Sequence, residues 1–274
     1  MAIINDITDK EFNILRDYIH QTIGTNLGNE KKSMVFSRLR TILQEGKFEN
    51  FTQYFEHLKS DRTGAAVTQF INRITTNHTF FMRETDHFDY FRDTVLPFVE
   101  KEFGGGKDLR LWCAACSSGE EPYTLQIIIN EYFKKDPSWN KEILATDIST
   151  NVLDKALAGV YLNESIKPLS DAWKREYFKK IDDERSAVAD SIKKNVTYRI
   201  FNLMDERYPF KKKFHVIFCR NVMIYMDAAT RDTIVEKFYG QLEQGGYLFI
   251  GHSESLNHTK TAFKYVKPAV YRKI

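Results

Sequence analysis

The stretch Trp112–Leu125, WCAACSSGEEPYTL, decides the fold. An apolar run, Leu109–Arg110–Leu111–Trp112, enters it with strand character, and Tyr123–Thr124–Leu125–Gln126–Ile127–Ile128–Ile129 leaves it with helical character. Between them lie small residues and a single glycine, Gly119, followed by Glu120, Glu121 and Pro122. A strand, a tight turn and a helix in that order predict the first βα corner of an open parallel sheet, where ligands bind at the carboxyl ends of the strands.

The chemistry of that corner narrows the ligand. Small side chains at Ala114, Ala115, Cys116, Ser117 and Ser118 let a ligand approach the backbone closely, much as glycines would. Pro122 suits a first helical turn, and Glu120 and Glu121 favour the helix dipole. Those same acids repel the phosphate that a bare helix N-terminus would attract. The corner therefore predicts an adenosine compound that carries positive charge and no phosphate; S-adenosylmethionine, with its sulfonium and ammonium, fits. An acidic helix start that binds nothing is the plain alternative.

Working outward, strands are expected at Leu109–Cys113, Glu142–Thr146, Phe214–Cys219 and Tyr247–Ile250, and helices at Glu120–Lys135, Ser149–Ala158 and Asp227–Gln241. Such alternation predicts a parallel sheet covered on both faces. Residues 262–274 alternate around Lys267–Pro268 and predict a closing antiparallel hairpin. Between about 160 and 200 the alternation breaks: a helix at Asp171–Lys179, a charged loop at Asp182–Arg185 and the β-like NVTYRIF predict a small inserted β-subdomain. Upstream, four helices are expected, near 9–23, 30–45, 51–59 and 65–75. The first is announced by TDKE at Thr8–Glu11, with capping-box spacing. The expected division is an all-helical domain over 1–76, a polar–aromatic linker block and a helix weakening near Pro97 over 77–106, and the α/β domain over 107–274. GGGKD at Gly104–Asp108 reads as a flexible joint.

The chain of 274 residues is 42% apolar and 28% charged, as in soluble globular proteins. A net charge of +3 argues for no nucleic-acid partner. No apolar run is long enough to span a membrane. The opening MAIINDITDKEF has no apolar core of a secretory leader, and three cysteines suit a reducing cytoplasm.

Two further strand ends carry polar groups. Asp147, closing ILATD, stands where a carboxylate bonds ribose hydroxyls; helix capping is the alternative, although Ser149 or Thr150 could cap and leave Asp147 free. Arg220 and Asn221, in FCRNVMIY, end a later strand. Three strand ends bearing Glu, Asp and Arg–Asn are expected to face one crevice. GHSES at Gly251–Ser255 lacks the last glycine and following helix of a nucleophile elbow. Cys113-x-x-Cys116 lacks a second ligand pair, and no His pair has metal-ligand spacing, so no metal is expected. Lys31, Lys32, Arg38 and Arg40 load one helix with positive charge, either as a solvated face or as a dock for an acidic helix.

The blocks NHTFFMRETDHF, WCAACSSGEEPYTL with ILATDIS, FNLMDERYPF with FHVIFCRNVMIY, and GHSE together resemble the chemoreceptor glutamate methyltransferases of bacterial chemotaxis, the CheR family. The similarity runs in order over nearly the whole chain. It implies a class I, Rossmann-like S-adenosylmethionine-dependent methyltransferase domain with an inserted small β-subdomain, preceded by a small all-α domain. It further implies methyl esterification of glutamates on receptor cytoplasmic helices, with S-adenosylhomocysteine as product. A monomer in the cytoplasm is expected.

Residue by residue, the resemblance implies that Asn77, Thr79 and Arg83 line the cofactor pocket, with Arg83 near the transfer. Glu120 or Glu121 binds the methionine end, Glu120 being preferred. Asp147 binds the ribose, Asn202 and Leu203 flank the adenine, Arg220 and Asn221 complete the pocket, and Tyr225 lies near the methyl. Lys31, Lys32, Arg38 and Arg40 would then meet the receptor. One departure stands out: KKIDDERSAVADSIKK has no glycine where some members grip a receptor's C-terminal pentapeptide, so no such tether is expected. A sensor of S-adenosylmethionine or its product without turnover, or a methyltransferase of this fold with another acceptor, are the alternatives.

Overall fold

The computed structural model describes residues 6–274; the first five residues of the helical-domain and leader readings lie outside the described residues. Helix α1, Asp9–Ile23, begins as its sequence predicts: the Thr8 hydroxyl accepts from the Glu11 amide while the Glu11 carboxylate accepts from the Thr8 amide. It ends at Gly24, whose φ of 73° is left-handed. Helices α2 (Lys32–Glu45), α3 (Phe51–Ser60) and α4 (Ala65–Ile74) pack on it through Phe12, Leu39, Phe51 and Phe70, all buried. Asn50 caps α3.

An irregular block then leads into α5 (Thr85–Tyr90), a wide π-type turn (Phe91–Val95) and α6 (Leu96–Phe103). Pro97 stands in the first turn of α6, and the regular α ladder gives way to the π-type turn just before it, where the sequence predicts weakening.

The α/β domain follows with β1 (Leu111–Ala114), α7 (Glu120–Tyr132), β2 (Ile143–Asp147), α8 (Thr150–Ala158), β3 (Val160–Leu162), α9 (Asp171–Tyr177), β4 (Phe178–Lys180), β5 (Arg185–Val188), α10 (Asp190–Lys193), β6 (Val196–Ile200), β7 (Phe214–Phe218), α11 (Ala228–Gln241), β8 (Leu242–Phe249), β9 (Lys264–Lys267) and β10 (Val270–Arg272). The main sheet has the order β6-β2-β1-β7-β8-β10-β9. Its first five strands are parallel, and β10 runs antiparallel to both β8 and β9. The order reverses between β1 and β7, so the crevice opens at their carboxyl ends. Aromatic side chains fill both faces: Phe81, Phe88 and Tyr123 on one, Trp112, Phe214 and Phe238 on the other.

Two sequence expectations are corrected. NVTYRIF does not belong to the inserted subdomain: Val196–Ile200 pairs in parallel with Ile143–Asp147 as the outer strand of the main sheet. Its outer position leaves Arg199 and Ile200 exposed, so its pattern resembles that of a two-faced antiparallel strand. The insertion is the separate antiparallel sheet β3-β5-β4, with α9 beside it. Strand β8 also starts earlier than Tyr247, because its first half, LEQGG, is polar and passes a register shift opposite Phe214 and Val216.

Among the described residues no helix is long and apolar enough to cross a membrane.

Candidate functional site

The loop after β1 folds tightly because three of its residues take left-handed φ: Ala115 at 64°, Ser117 at 49° and Gly119 at 97°. Only the last must be glycine on space alone, since a Cβ there would lie 2.8 Å from the Tyr161 hydroxyl and 2.9 Å from Ala156 Cβ. The loop is pinned to the end of β2: the Cys116 amide donates to the Thr146 carbonyl (2.8 Å) and the Ser117 amide to Asp147 Oδ2 (2.8 Å). Asp147 is therefore not free. Its Oδ1 accepts from the Ser149 amide (3.0 Å), and the carboxylate joins the two loops at the crevice floor. Burial pushes its pKa up against the pull of those amides. The Ser149 hydroxyl does not cap α8; it donates to Asn72 Oδ1 of α4 (2.8 Å).

At the start of α7 the two glutamates part. Glu121 lines the crevice: its Oε2 accepts from Arg220 (2.8 Å) and its Oε1 from the Cys113 thiol (2.9 Å). Glu120 is turned away from it, with its carboxylate taken by the Ser118 hydroxyl (2.8 Å) and its pKa raised by burial. Of the two, only Glu121 lines the crevice, because adjacent helical residues point about 100° apart. Burial keeps the Cys113 and Cys116 thiols protonated.

Arg220, 2% exposed in its side chain, is the hub of the site. Besides Glu121 it donates to the Arg83 carbonyl (2.5 Å) and to Glu84 Oε2 (3.0 Å), and its guanidinium lies 5.3 Å from the Phe88 ring centre. Asn221, left-handed at φ 59°, donates through Nδ2 to Glu84 Oε1 (3.0 Å). Burial alone would raise the pKa of Glu84; the bonds from Asn221 and Arg220 outweigh it and hold the carboxyl below its usual range.

Glu84 and Glu254 were not expected from sequence. Glu84 sits within the block containing Arg83 and is itself left-handed at 59°, which no pattern announces. The fold also brings together His87 and His252, far apart in sequence, with Glu84 beside them; their candidate ligand atoms lie within 4.8 Å of one another. Both Glu84 oxygens are engaged by Arg220, Asn221 and the His252 amide, and a buried guanidinium beside them opposes a cation. Glu84 is a hydrogen-bond hub, while both ring nitrogens of His87 are buried without a hydrogen-bond partner. His87, fully buried, has its pKa lowered to about 4 by burial and by the Arg220 charge.

The crevice is a cavity of about 370 Å³. It brings together Asn77, Thr79, Arg83, Glu121, Asp147, Asn202, Leu203, Arg220, Asn221 and Tyr225, with Lys31 and Arg38 at the helical-domain side. Asn202 is turned toward that domain, donating to the Thr22 carbonyl (2.7 Å). The segment after α1 closes the wall: the Asn26 amide donates to the Tyr225 carbonyl (2.7 Å), and His20 Nε2 lies 2.5 Å from Asp227 Oδ2. Arg83 donates to the His78 carbonyl (2.8 Å), with Phe80 stacked near it.

The basic helix does not present one charged face to the cavity. Lys32 pairs with Asp9 at 2.7 Å, and the Arg40 guanidinium lies over the Phe36 ring, 5.9 Å from its centre; neither lines the crevice. Arg38 donates to the Ile74 carbonyl and to the Thr76 hydroxyl (2.9 Å), tying α2 to the end of α4.

The sheet order, the crevice at its reversal and the acidic cradle define a class I methyltransferase. The family described as CheR methyltransferase, SAM binding domain, matches residues 77–272, and its all-alpha domain matches residues 10–75. A chemotaxis protein methyltransferase of Borreliella burgdorferi is 39% identical over 98% of this chain and 95% of its own length. That of Escherichia coli is 33% identical over 97% of this chain and 91% of its own length. The chain belongs to the CheR methyltransferase family, and its activity is S-adenosylmethionine-dependent methylation in chemotaxis. The lining suits this cofactor in character: the carboxylates of Glu121 and Asp147 would favour a cation and hydroxyls, and Ile148, Phe201 and Leu203 would offer an apolar wall to a base.

Proposed function

We propose that the protein acts in the cytoplasm and methylates glutamate side chains on the cytoplasmic helices of chemoreceptors. A glutamate acceptor is already ionised near pH 7 and needs no general base. When bound, S-adenosylmethionine supplies a sulfonium methyl: an O–C bond forms to the acceptor carboxylate, the C–S bond breaks, and its electron pair stays on the sulfur of S-adenosylhomocysteine. What remains for the protein is alignment of the two partners. Glu121 would hold the ammonium of the methionine end, and Asp147 the ribose. Asn77, Thr79, Asn202, Leu203 and Asn221 complete the enclosure. Arg83 would form a charge-assisted pair with the incoming carboxylate, and Tyr225 would limit its position.

The observation that carries this reading is the set of side chains facing the cavity. Arg83, half-buried, and Tyr225, 39% exposed, stand in the same lining as the acidic cradle but on its outer side. No histidine or lysine base is needed for a carboxylate acceptor.

The test is transfer of labelled methyl from S-adenosylmethionine to receptor-bearing membranes. Label released by mild base marks a methyl ester and supports the reading. Base-stable label would assign another acceptor, and tight cofactor binding without any transfer would leave a sensor.

A further inference from the structure

We propose that the turn Gly251–Glu254 is a positioning clamp for the methyl-transfer site, and that Glu254 sets Asn221 and Tyr225 by holding the loop that bears them. The catalytic meaning of this clamp rests on the function proposed above.

Beyond Cys219, whose amide still donates to the Phe249 carbonyl of β8 (2.9 Å), the loop to Tyr225 has no strand partner and contains one short 3-10 turn, Met223–Tyr225. Its amides need acceptors. The Glu254 carboxylate supplies two of them, while the Tyr225 amide turns back to the Val222 carbonyl (3.2 Å). Glu254 is 6% exposed; Oε2 accepts from the amides of Asn221 (3.1 Å) and Gly251 (2.5 Å), and Oε1 from that of Ile224 (3.1 Å). Every neighbour is a donor, so an ionised carboxylate, which only accepts, suits the place better than an amide.

The other members of the turn serve the same loop. A Cβ on Gly251 would lie 2.4 Å from Asn221 Nδ2 and 2.9 Å from its backbone nitrogen, so any side chain there displaces Asn221. The His252 amide donates to Glu84 Oε2 (3.2 Å), and the other Glu84 oxygen takes Asn221 Nδ2. Asn221 is thus fixed by Glu254 at its backbone, by Glu84 at its amide, and by the bareness of Gly251 in the space between. Its left-handed φ of 59° is a conformation that needs such support. At the far end of the loop, the helical domain holds Tyr225 through Asn26.

The experiment uses the full chain and two variants. Glu254→Gln keeps the shape but turns an NH₂ donor toward amide donors. Gly251→Ala keeps the charge but crowds Asn221. In each, hydrogen exchange without cofactor or acceptor is expected to quicken at least tenfold over residues 219–225 and to stay unchanged in β1 and β2. The kcat of methyl transfer to receptor membranes is expected to fall at least tenfold. If Glu254→Gln does not fold, Gly251→Ala carries the test. Unchanged loop exchange, exchange that quickens throughout the chain, or a quickened loop with unchanged kcat would each overturn the clamp. A wild-type protein that does not methylate receptors would instead sink the function proposed above, and the exchange result would still decide whether Glu254 holds the loop.

Discussion

Arg220 and Glu121 form an ion pair of 2.8 Å inside the crevice, and the guanidinium side chain is only 2% exposed. Glu84 completes a carboxylate–guanidinium–carboxylate set around the same group. A buried charge left without its partner is expensive, about 3–5 kcal/mol. Arg220→Ala strands two carboxylates and is expected to destabilise the fold by roughly that amount, read as a fall in the calorimetric midpoint. Glu121→Gln leaves Arg220 with Glu84 and is expected to cost much less stability. It should nevertheless weaken S-adenosylmethionine binding at least tenfold, about 1.4 kcal/mol, measured by titration calorimetry. Equal destabilisation by the two variants would mean that Glu84 does not share the charge.

The neighbouring glutamate should behave oppositely. Burial raises the pKa of Glu120 above its unfolded value, so its charged form opposes folding at neutral pH, and the opposition eases as pH falls through the folded pKa. Glu120→Gln, with the Ser118 bond retained, is expected to leave cofactor affinity within threefold and to hold or raise the denaturation midpoint at pH 7. A tenfold loss of affinity would restore Glu120 as the cofactor contact.

Two buried histidines make the fold acid-sensitive. His87 and His215 both have pKa values lowered from 6.5 to about 4, by burial first and then by Arg220 and Arg110 respectively. The unfolded chain takes up these protons below about 6.5 and the folded chain does not. Stability is therefore lost as pH falls from 6.5 toward 4, by about 3 kcal/mol for each histidine. Replacing His215 by Gln removes one such term. The stability difference between wild type and His215→Gln should shrink in that direction between pH 7 and 4, followed by urea titration. A difference that stays flat across the window would refute it.

The elements that carried most of the sequence argument are those whose signals are local. The Thr8–Glu11 capping box, the Gly24 stop and the βα corner at Gly119 depend on near neighbours, and each is present where its residues put it. Signals fail where a strand's partner is remote. Val196–Ile200 has the same residues whether it pairs with Ile143–Asp147 or within the insertion, and only the tertiary pairing decides. The cavity's members share this mixture. Asp147 and Arg220–Asn221 stand at strand ends and could be anticipated. Which of Glu120 and Glu121 faces inward depends on the angle of α7 against the sheet. Glu84 and Glu254 matter because they meet Asn221 from 137 and 33 positions away.

The inserted subdomain supports a negative prediction. Between β4 and β5 the chain turns tightly over Ile181–Glu184: the Ile181 amide donates to the Arg185 carbonyl (2.9 Å), and Asp182 grips Arg185 at 2.7 Å. No glycine provides an open backbone for a peptide there. A pentapeptide from a receptor C-terminus is expected to show no heat of binding at micromolar concentrations, and receptors shortened by that segment should be methylated at an unchanged rate.

Charge reversal on α2 and the turn before it should separate steering from structure. Lys31 is exposed and lines the cavity at the helical-domain side, where an acidic receptor helix would approach. Lys31→Glu is expected to slow receptor methylation several-fold at low salt. The loss should shrink as salt rises past about 0.15 M, where charges farther apart than about 8 Å are screened. Arg38 differs, because its guanidinium already holds the Ile74 carbonyl and Thr76 at the junction with the cofactor cavity. Arg38→Ala should lower both the melting midpoint and cofactor affinity, with little dependence on salt, since its bonds are short and direct. If the two variants shared one salt profile, Lys31 would be structural as well, and the receptor would approach the cavity from another side.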